Sequence, residues 1–311
     1  MKNNNFDIIG DIHGYADALI RLLDKLDYKQ DNHGIYHHPE RQVIFLGDFI
    51  DGGSEQAKVI NTVKPMVESG YAEAIMANHE YNAICYHTFD KQGKPLRERG
   101  GNNEEQHEAF LKEFPLGENK TKEVIDWFKT LPLFLEKKDF RVIHACWDTK
   151  MIDEARKLLD SNHKITDEFL FNSANSGSTE YKIIETLLKG IELELPKGES
   201  FKDKKGHKRT AIRIKWWQEH AKTYRDYAVV HEDARVNIPE TKLSLNQIVP
   251  AYKSEKPVFF GHYWMSRKPE ILTDYVACLD YSVAKGDKLV CYQWNDGDSK
   301  LSNDNFESVE A

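Results

Sequence analysis

The stretch FDIIGDIHG, residues 6–14, determines the fold class that this sequence predicts. It begins with a short, mostly apolar run, which is typical of a strand buried in a parallel sheet. The run stops at Gly10, and Asp11 and His13 follow within three residues. Ligands bind beyond the carboxyl ends of strands in open α/β sheets, and glycine allows a sharp backbone turn there. We therefore expect a strand, a tight turn and two metal-type ligands at one edge of a sheet.

The same arrangement recurs in four further stretches of the chain: VIFLGDFIDGG (43–53), AIMANHE (74–80), VIHAC (142–146) and VFFGHYW (258–264). Each begins with an apolar run and ends in residues that carry oxygen or nitrogen ligands. Because the ends of parallel strands meet at one edge of a sheet, these ligands can converge although they are distant in sequence. Together they supply three Asp, one Asn and four His as candidate ligands: Asp11, Asp48, Asp51, Asn78, His13, His79, His144 and His262.

The chemistry of these ligands predicts two divalent metal ions. Carboxylate, amide and imidazole ligands without a thiolate suit manganese, iron, zinc or magnesium. The cysteines have no paired CxxC spacing, which argues against a structural zinc site. Cys146 lies two residues after His144, but we interpret it as a small apolar residue beside a strand end rather than a ligand.

In this order, the motifs GDIHG, GDFIDGG, ANHE, a later strand-end histidine and a final GH resemble those of the calcineurin-like metallophosphoesterases. Within that superfamily they resemble the PPP type, which includes the phosphoprotein phosphatases and the bacterial symmetric diadenosine tetraphosphate hydrolases. The motifs span residues 11–262, whereas we recognise none between residues 150 and 238. The resemblance implies an α/β fold, in which a two-sheet β-sandwich is flanked by helices.

The resemblance also implies a role for each motif residue. It implies that Asp11 and His13 bind the first metal ion, that Asp48 bridges both ions, and that Asn78, His144 and His262 bind the second. His79 resembles the histidine that protonates the leaving oxygen, and Asp51 resembles the carboxylate that orients its imidazole. Many relatives outside the PPP type end in GHxH, but Trp264 holds the last position here and cannot bind a metal, which favours the PPP type.

These roles predict hydrolysis of a phosphate ester without a phosphoenzyme. Two cations about 3.5–4 Å apart would hold a shared hydroxide, lower its pKa and neutralise the phosphoryl oxygens. His79, oriented by Asp51, would contribute on the order of a hundredfold or more as a general acid. Manganese is the ion that we favour, and iron, zinc, nickel and magnesium are the alternatives.

One departure from the PPP pattern concerns the phosphate. PPP enzymes usually read GDxxDRG, with an arginine that clamps the phosphate, whereas this chain has Gly52 at that position. Loss of a bidentate cation should weaken the binding of a small dianionic phosphate. Arg235 is our first candidate for a replacement, because it lies in a charged stretch upstream of His262. Arg97 and Arg99 are rivals, and for each arginine a solvated surface position is the alternative.

Composition and charge predict an intracellular enzyme. The chain has 311 residues and a net charge of −8, which argues against a nucleic-acid partner. No apolar run approaches about 18 residues, so we expect no membrane-spanning helix. Residues 1–5 lead directly into the first predicted strand and leave no room for a secretory signal. The four cysteines are then expected to stay reduced, which predicts a cytoplasmic location.

The motifs and patterns also predict how the chain is divided. We expect a catalytic domain over residues 1–298, with a mainly helical insertion at about 150–240. Residues 299–311 are polar and acidic, which predicts a disordered tail. Residues 273–279 and 288–294 flank a turn-rich segment and predict an antiparallel hairpin.

Aromatic residues and isolated histidines in the rest of the chain have two possible interpretations. The pair Trp216–Trp217, together with Tyr224 and Tyr227, could stack on a nucleobase. We favour the alternative, in which these aromatic residues form the core of the insertion. We interpret the histidines that follow no strand, such as His87 and His107, as surface or core residues.

The sequence leaves three functional hypotheses open. The first is a metal-dependent phosphatase that acts on a phosphorylated small molecule, such as a nucleotide, or on a phosphoprotein. The second is a hydrolase of dinucleoside polyphosphates or phosphodiesters, for which an arginine at Gly52 matters less. The third is an inactive metal-binding scaffold that acts through a protein partner. His79 and Asp51 accompany all six residues that the resemblance implies as metal ligands, which argues against the third hypothesis.

Overall fold

The computed structural model describes residues 4–202, 206, 208–230, 232–244 and 251–311. The strands in this part of the chain are β1 (Phe6–Ile9), β2 (Lys29–Gln30), β3 (Tyr36–His37), β4 (Gln42–Phe45), β5 (Ala72–Ala74), β6 (Phe134–Glu136), β7 (Arg141–Ile143), β8 (Glu192–Glu194), β9 (Phe201–Lys202), β10 (Lys208–Arg209), β11 (Ala211–Arg213), β12 (Val258–Phe260), β13 (Val276–Cys278), β14 (Lys288–Trp294) and β15 (Phe306–Glu310). The helices are α1 (Ala16–Lys25), α2 (Gln56–Glu68), α3 (Asn78–His87), α4 (Gly101–Glu113), α5 (Asn119–Phe128), α6 (Thr149–Leu158), α7 (Asp167–Ser173), α8 (Thr179–Ile184), α9 (Tyr224–Tyr227) and α10 (Glu232–Arg235). Of the helices described, none combines the length and the hydropathy needed to cross a membrane.

Two mixed sheets form the centre of the fold. The first has the strand order β15-β14-β1-β4-β5, in which β1, β4 and β5 are parallel and β14 is antiparallel to both of its neighbours, β1 and β15. The second has the order β13-β12-β7-β6, in which β12 is parallel to β7 and β13. The strands before the five motifs are therefore parallel neighbours within the two sheets, as the sequence predicts.

The motif strands are mostly apolar because both of their faces are covered. Ile8 of β1 packs in the layer between the sheets, where the rings of Phe259 and Tyr292 lie 4.9 Å apart. Ile9, on the opposite face, belongs to an apolar cluster that includes Leu22 of α1. This two-sheet sandwich, flanked by helices, is the fold that the resemblance implies.

The hairpin predicted from residues 273–279 and 288–294 is wrong. β13 pairs with β12 in the second sheet, whereas β14 pairs with β1 and β15 in the first. The chain crosses from one sheet to the other through a segment that contains Asp280 and a 3-10 turn (Val283–Lys285). Both runs are strands, as predicted. The alternation of apolar and polar residues within a strand does not determine its pairing partner, which depends on packing against strands that are distant in sequence.

The prediction of a disordered tail is also wrong. β15 pairs with β14 over five residue pairs and forms an edge of the first sheet. Phe306 packs on Tyr292 with ring centroids 5.1 Å apart, and Lys25 Nζ lies 2.7 Å from a carboxylate oxygen of Glu307. The segment is polar because an edge strand is half exposed, and its composition alone resembles that of a disordered tail.

The segment predicted as a mainly helical insertion contains both helices and short strand pairs. The segment begins with α6, α7 and α8, and a π-helical turn (Glu185–Lys189) extends α8. The short strand pairs β8–β11 and β9–β10 follow, and α9 and α10 come last. Trp216, Trp217, Tyr224 and Tyr227 are buried, as the core interpretation predicts. Trp216 Nε1–H donates to the Ala145 carbonyl at 2.9 Å, which ties the segment to the end of β7. The boundaries of the insertion stay a prediction.

Candidate metal centre and active site

Asp48 lies at the centre of the candidate site, just beyond the carboxyl end of β4. His13 follows β1, and its Nε2 lies 3.6 Å from Asp48 Oδ2. His144 follows β7 in the other sheet, and its Nε2 lies 3.4 Å from the same oxygen. Asp48 therefore joins ligands that come from both sheets, which is the position that a bridging carboxylate requires.

Asn78, the first residue of α3, completes the group on the side of the second sheet. Its Oδ1 lies 2.8 Å from His144 Nε2 and 2.8 Å from His262 Nδ1. The backbone N–H of His262 donates to Asp11 Oδ2 at 2.9 Å, which links the ends of β12 and β1. The structure thus brings together all six residues that the resemblance implies as ligands, and each of them is buried.

The turns that carry the ligands have an uncommon backbone conformation. φ is positive at His13 (50°), Asp48 (50°) and His262 (71°), a region that residues other than glycine rarely adopt. Such strain persists only where the surrounding structure enforces it, and it concentrates at functional sites. A Cβ added at Gly261 would lie 2.0 Å from Asp11 Oδ1, so glycine is needed for β12 to approach the ligand.

The ligand atoms face one another mainly as acceptors, which is the arrangement that a cation stabilises. His144 Nδ1–H donates to the Leu46 carbonyl at 3.0 Å, so Nε2 is the ring nitrogen that faces the carboxylate and amide oxygens. Among the described side chains, Asp11 Oδ1 and His262 Nε2 are buried without a hydrogen-bond partner. Converging oxygen and nitrogen lone pairs without donors fit hard or borderline divalent ions.

Two sets of three side chains each place one ligand atom per residue within 4.8 Å of the others: His13, Asp48 and His79, and Asp48, His144 and His262. The first set contains His79 where the resemblance implies Asp11. Burial lowers the pKa of the His144 imidazole, but the Asp48 and Asp11 carboxylates outweigh burial and raise that pKa to about 9. The local field therefore attracts positive charge, from a proton or from a metal ion.

His79 and Asp51 form a hydrogen-bonded pair beside this centre. His79, the second residue of α3, donates from Nδ1 to Asp51 Oδ2 at 2.8 Å. Burial lowers the pKa of His79, whereas Asp48 and Asp51 raise it, and the net result is a pKa of about 9. The imidazole is thus held in one orientation and keeps its proton at neutral pH, as a general acid must.

A second histidine binds the other oxygen of Asp51, and sequence reasoning missed it. His107 lies on α4, is buried, and donates from Nδ1 to Asp51 Oδ1 at 2.9 Å. Its Nε2 lies 3.3 Å from Nε2 of His87, and its ring stacks on Phe110 at 4.7 Å. His107 follows no strand and belongs to no motif, so no local signal separated it from a core histidine.

Glu80 ties the second and third motifs together. Its carboxylate accepts the backbone N–H groups of Asp48 at 2.9 Å, Phe49 at 2.8 Å and Ala77 at 3.2 Å. Burial, with a further contribution from Asp48, raises the pKa of the Glu80 carboxyl. Glu80 contacts backbone rather than ligand atoms, so it fixes the turn that positions Asp48.

A cavity of about 540 Å³ opens over this centre. Three cations, Arg97, Lys189 and Arg213, and the indole of Trp264 also line this cavity. Arg235, the arginine that the sequence favours for binding phosphate, does not line the cavity; it is exposed on α10. The role of Arg235 in phosphate binding stays a prediction, which the lining of the cavity does not support.

Arg213 and Arg97 differ in their contacts. Arg213, at the end of β11, helps burial to lower the pKa of His262, and its buried Nε has no partner among the described residues. Arg97 donates to Asn103 Oδ1 at 2.9 Å and to Gln106 Oε1 at 3.0 Å. Arg97 was among the rivals named from sequence, whereas Arg213 was missed because it lies in the segment without motifs.

Gly52, which occupies the position of the PPP arginine, is required by the backbone. Its φ is +152°, and an added Cβ would lie 2.9 Å from the carbonyl oxygen and 3.1 Å from the Cβ of His13. A side chain at residue 52 would therefore press on a candidate metal ligand. The missing arginine cannot be restored here without moving the turn.

The family model of the calcineurin-like phosphoesterases matches residues 5–262, and the chain belongs to that family. It is 35% identical over 142 residues to the asymmetrical bis(5'-nucleosyl)-tetraphosphatase PrpE of Oceanobacillus iheyensis, covering 45% of this chain and 54% of that protein. The symmetrical bis(5'-nucleosyl)-tetraphosphatase of Buchnera aphidicola is 26% identical over 198 residues, which covers 60% and 62%. The chain spans about half the length of the PrpE relative.

Solved structures share the fold at low sequence identity. A protein serine/threonine phosphatase from Saccharomyces cerevisiae, described as similar to human PP5, has a TM-score of 0.52 at 14% identity, covering 99% of this chain and 80% of that one. A cold-active protein-tyrosine phosphatase from a psychrophilic Shewanella species has a TM-score of 0.51 at 15% identity, covering 98% and 80%. At these identities the similarity shows the fold alone.

Proposed function

We propose that this chain hydrolyses phosphate esters at two divalent metal ions, of which manganese is the ion that we favour. The observation that carries this proposal is the convergence of ligands from both sheets on Asp48, with the His79–Asp51 pair beside them. The ions would be held by Asp11 and His13 on one side, by Asn78, His144 and His262 on the other, and by Asp48 between them. Bound there, they would act as Lewis acids that neutralise the phosphoryl oxygens and activate water.

His79 supplies the proton that the leaving oxygen needs. Its Nδ1 is engaged by Asp51 and its ring lines the cavity, so Nε2 is the nitrogen available to the substrate. As the bond between phosphorus and the leaving oxygen breaks, that oxygen takes the Nε2 proton, and Asp51 holds the ring in position. Arg97 and Arg213, which line the same cavity as His79, would bind phosphate oxygens.

A dinucleoside polyphosphate is the second candidate substrate, beside a nucleotide or phosphoprotein monoester, and two observations favour it. Three cations line the same cavity as the candidate ligands, and several cations suit a chain of phosphates better than a single phosphate. The relatives named above are bis(5'-nucleosyl)-tetraphosphatases. We also propose a cytoplasmic location, which the four buried unpaired cysteines support and which cell fractionation would test.

Metal analysis combined with a substrate panel tests the proposal. Protein loaded with Mn²⁺ is expected to bind two ions per chain and to hydrolyse nitrophenyl phosphate, bis-nitrophenyl phosphate, a phosphopeptide or diadenosine tetraphosphate in a metal-dependent way. Two bound ions without turnover of any substrate would favour the scaffold hypothesis. At most one bound ion after saturation would refute the binuclear centre.

A further inference from the structure

Trp264 differs from every other tryptophan of this protein. It is 50% exposed, whereas the other five are at most 7% exposed. It lies at the wall of the cavity, two residues after His262, and the two rings are 6.0 Å apart. A large aromatic side chain left half open beside a reaction centre is an unusual use of apolar surface, since burial of such a ring is favourable.

The position of Trp264 is enforced by its surroundings. φ is +47°, and its backbone N–H donates to Asp280 Oδ2 at 2.8 Å. Asp280 is buried, and its carbonyl accepts the N–H of Met265 at 2.8 Å. The residue before it, Tyr263, is buried against Trp217 with ring centroids 5.2 Å apart. The indole is therefore exposed although the loop that carries it is anchored on both sides.

Two cations accompany the indole. The Arg213 guanidinium lies 5.4 Å and the Lys285 ammonium 4.8 Å from the centroid of its ring. Arg213 also lines the cavity together with His262 and Trp264, so it lies in the same space as the indole and the candidate ligands. An exposed aromatic ring with adjacent cations is the combination that holds a planar base attached to a phosphate chain.

We propose that Trp264 is a specificity-determining residue that stacks on a base of a nucleoside polyphosphate, while Arg213, which lines the same cavity, binds its phosphates. This inference rests on the proposed function and adds the substrate class to it. A phosphate chain without a base makes the contacts with the cations but not the contact with the indole. The distinction between these two ligands isolates the contribution of Trp264.

The test compares diadenosine tetraphosphate with inorganic tripolyphosphate in Trp264→Ala and Trp264→Phe. Binding is measured by calorimetry on Mn²⁺-loaded protein that carries His79→Asn, so that slow turnover does not disturb the titration. Trp264→Ala is expected to weaken the dinucleotide about tenfold relative to tripolyphosphate, because stacking contributes that much per base. Trp264→Phe keeps an aromatic face and should restore most of the loss.

Phe89→Ala is the matched control, since Phe89 is 47% exposed and carries Arg99 at 4.7 Å but does not line the cavity. It should change neither affinity. Equal weakening of both ligands by Trp264→Ala, or no weakening, would overturn the inference, and so would a larger loss for a phosphopeptide than for the dinucleotide. If the dinucleotide binds through Trp264 but is not hydrolysed by the wild type, the proposed reaction fails and the binding inference stands.

Discussion

Two groups of residues meet at the cavity, called here the metal wall and the substrate wall, and they are built in different ways. The metal wall, formed by the six candidate ligands, consists of residues within one turn of a strand end, fixed by backbone strain and by bonds such as that from His262 N–H to Asp11. The substrate wall, formed by Arg97, Lys189, Arg213 and Trp264, draws on four separate segments. Short sequence motifs therefore position the candidate metal ligands, whereas long-range packing positions the residues of the substrate wall.

The largest effect is expected from a change at Asp48, the residue around which the candidate ligands of the metal wall lie. Asp48→Asn keeps the size of the side chain but removes the charge that faces both His13 and His144. We expect metal affinity to fall by more than about a hundredfold, since even supporting residues of metal sites cost 10–100-fold. Hydrolysis should be nearly abolished.

Metal content by mass spectrometry and turnover at saturating Mn²⁺ measure both effects. Asp126→Asn, on the exposed side of α5, is the matched control and should bind the same number of ions as the wild type. An Asp48→Asn protein that keeps two tightly bound ions would show that the metal wall lies elsewhere.

The next largest effect is expected at His79, which lies beside the candidate ligands and lines the cavity. His79→Asn keeps a donor near Asp51 but removes the nitrogen that faces the cavity. Turnover should fall by about two to four decades on substrates with a poor leaving group, with metal content unchanged. The loss should be smaller on nitrophenyl esters, whose leaving group needs little protonation. An equal loss on both substrate types would indicate a structural role for His79.

The difference between the walls also explains what could be predicted from sequence. The parallel strands and the convergence of the six candidate ligands were predictable, because an apolar run and a residue with a ligand side chain are neighbours in sequence. Arg213 was not, since it reaches the cavity through the pairing of β11 with β8. The same holds for the tail: β15 is polar in composition and becomes a strand only through its pairing with β14.

Arg213→Gln tests whether the substrate wall binds phosphate. A charge-assisted contact contributes about 1.5–3 kcal/mol, so we expect the Michaelis constant for the best substrate to rise about tenfold to a hundredfold. Metal content should stay the same, because Arg213 is not among the candidate ligands. Arg235→Gln, the same change at the exposed arginine of α10, should leave the constant unchanged. The reverse result would restore the choice made from sequence.

The smallest effect concerns His107, which supports the acid through Asp51 without reaching the cavity. His107→Phe keeps the stacking on Phe110 but removes the donor to Asp51 Oδ1, and supporting residues of this kind typically cost about tenfold in activity. His107→Asn can place an amide N–H near the position of Nδ1, so it should recover most of the turnover. The loss should again be larger on a poor leaving group than on a nitrophenyl ester.

A double-mutant cycle separates positioning from general stability. If His107 acts only through Asp51 and His79, His107→Phe should have little further effect on turnover once His79→Asn is present, because neighbours in one network are not additive. A purely structural role would lower turnover by the same factor in both backgrounds and would lower the melting temperature in parallel. A non-additive outcome would show that His107 supports the acid His79 through Asp51. Because α4 carries no sequence motif, long-range packing would then position the acid as well as the substrate wall.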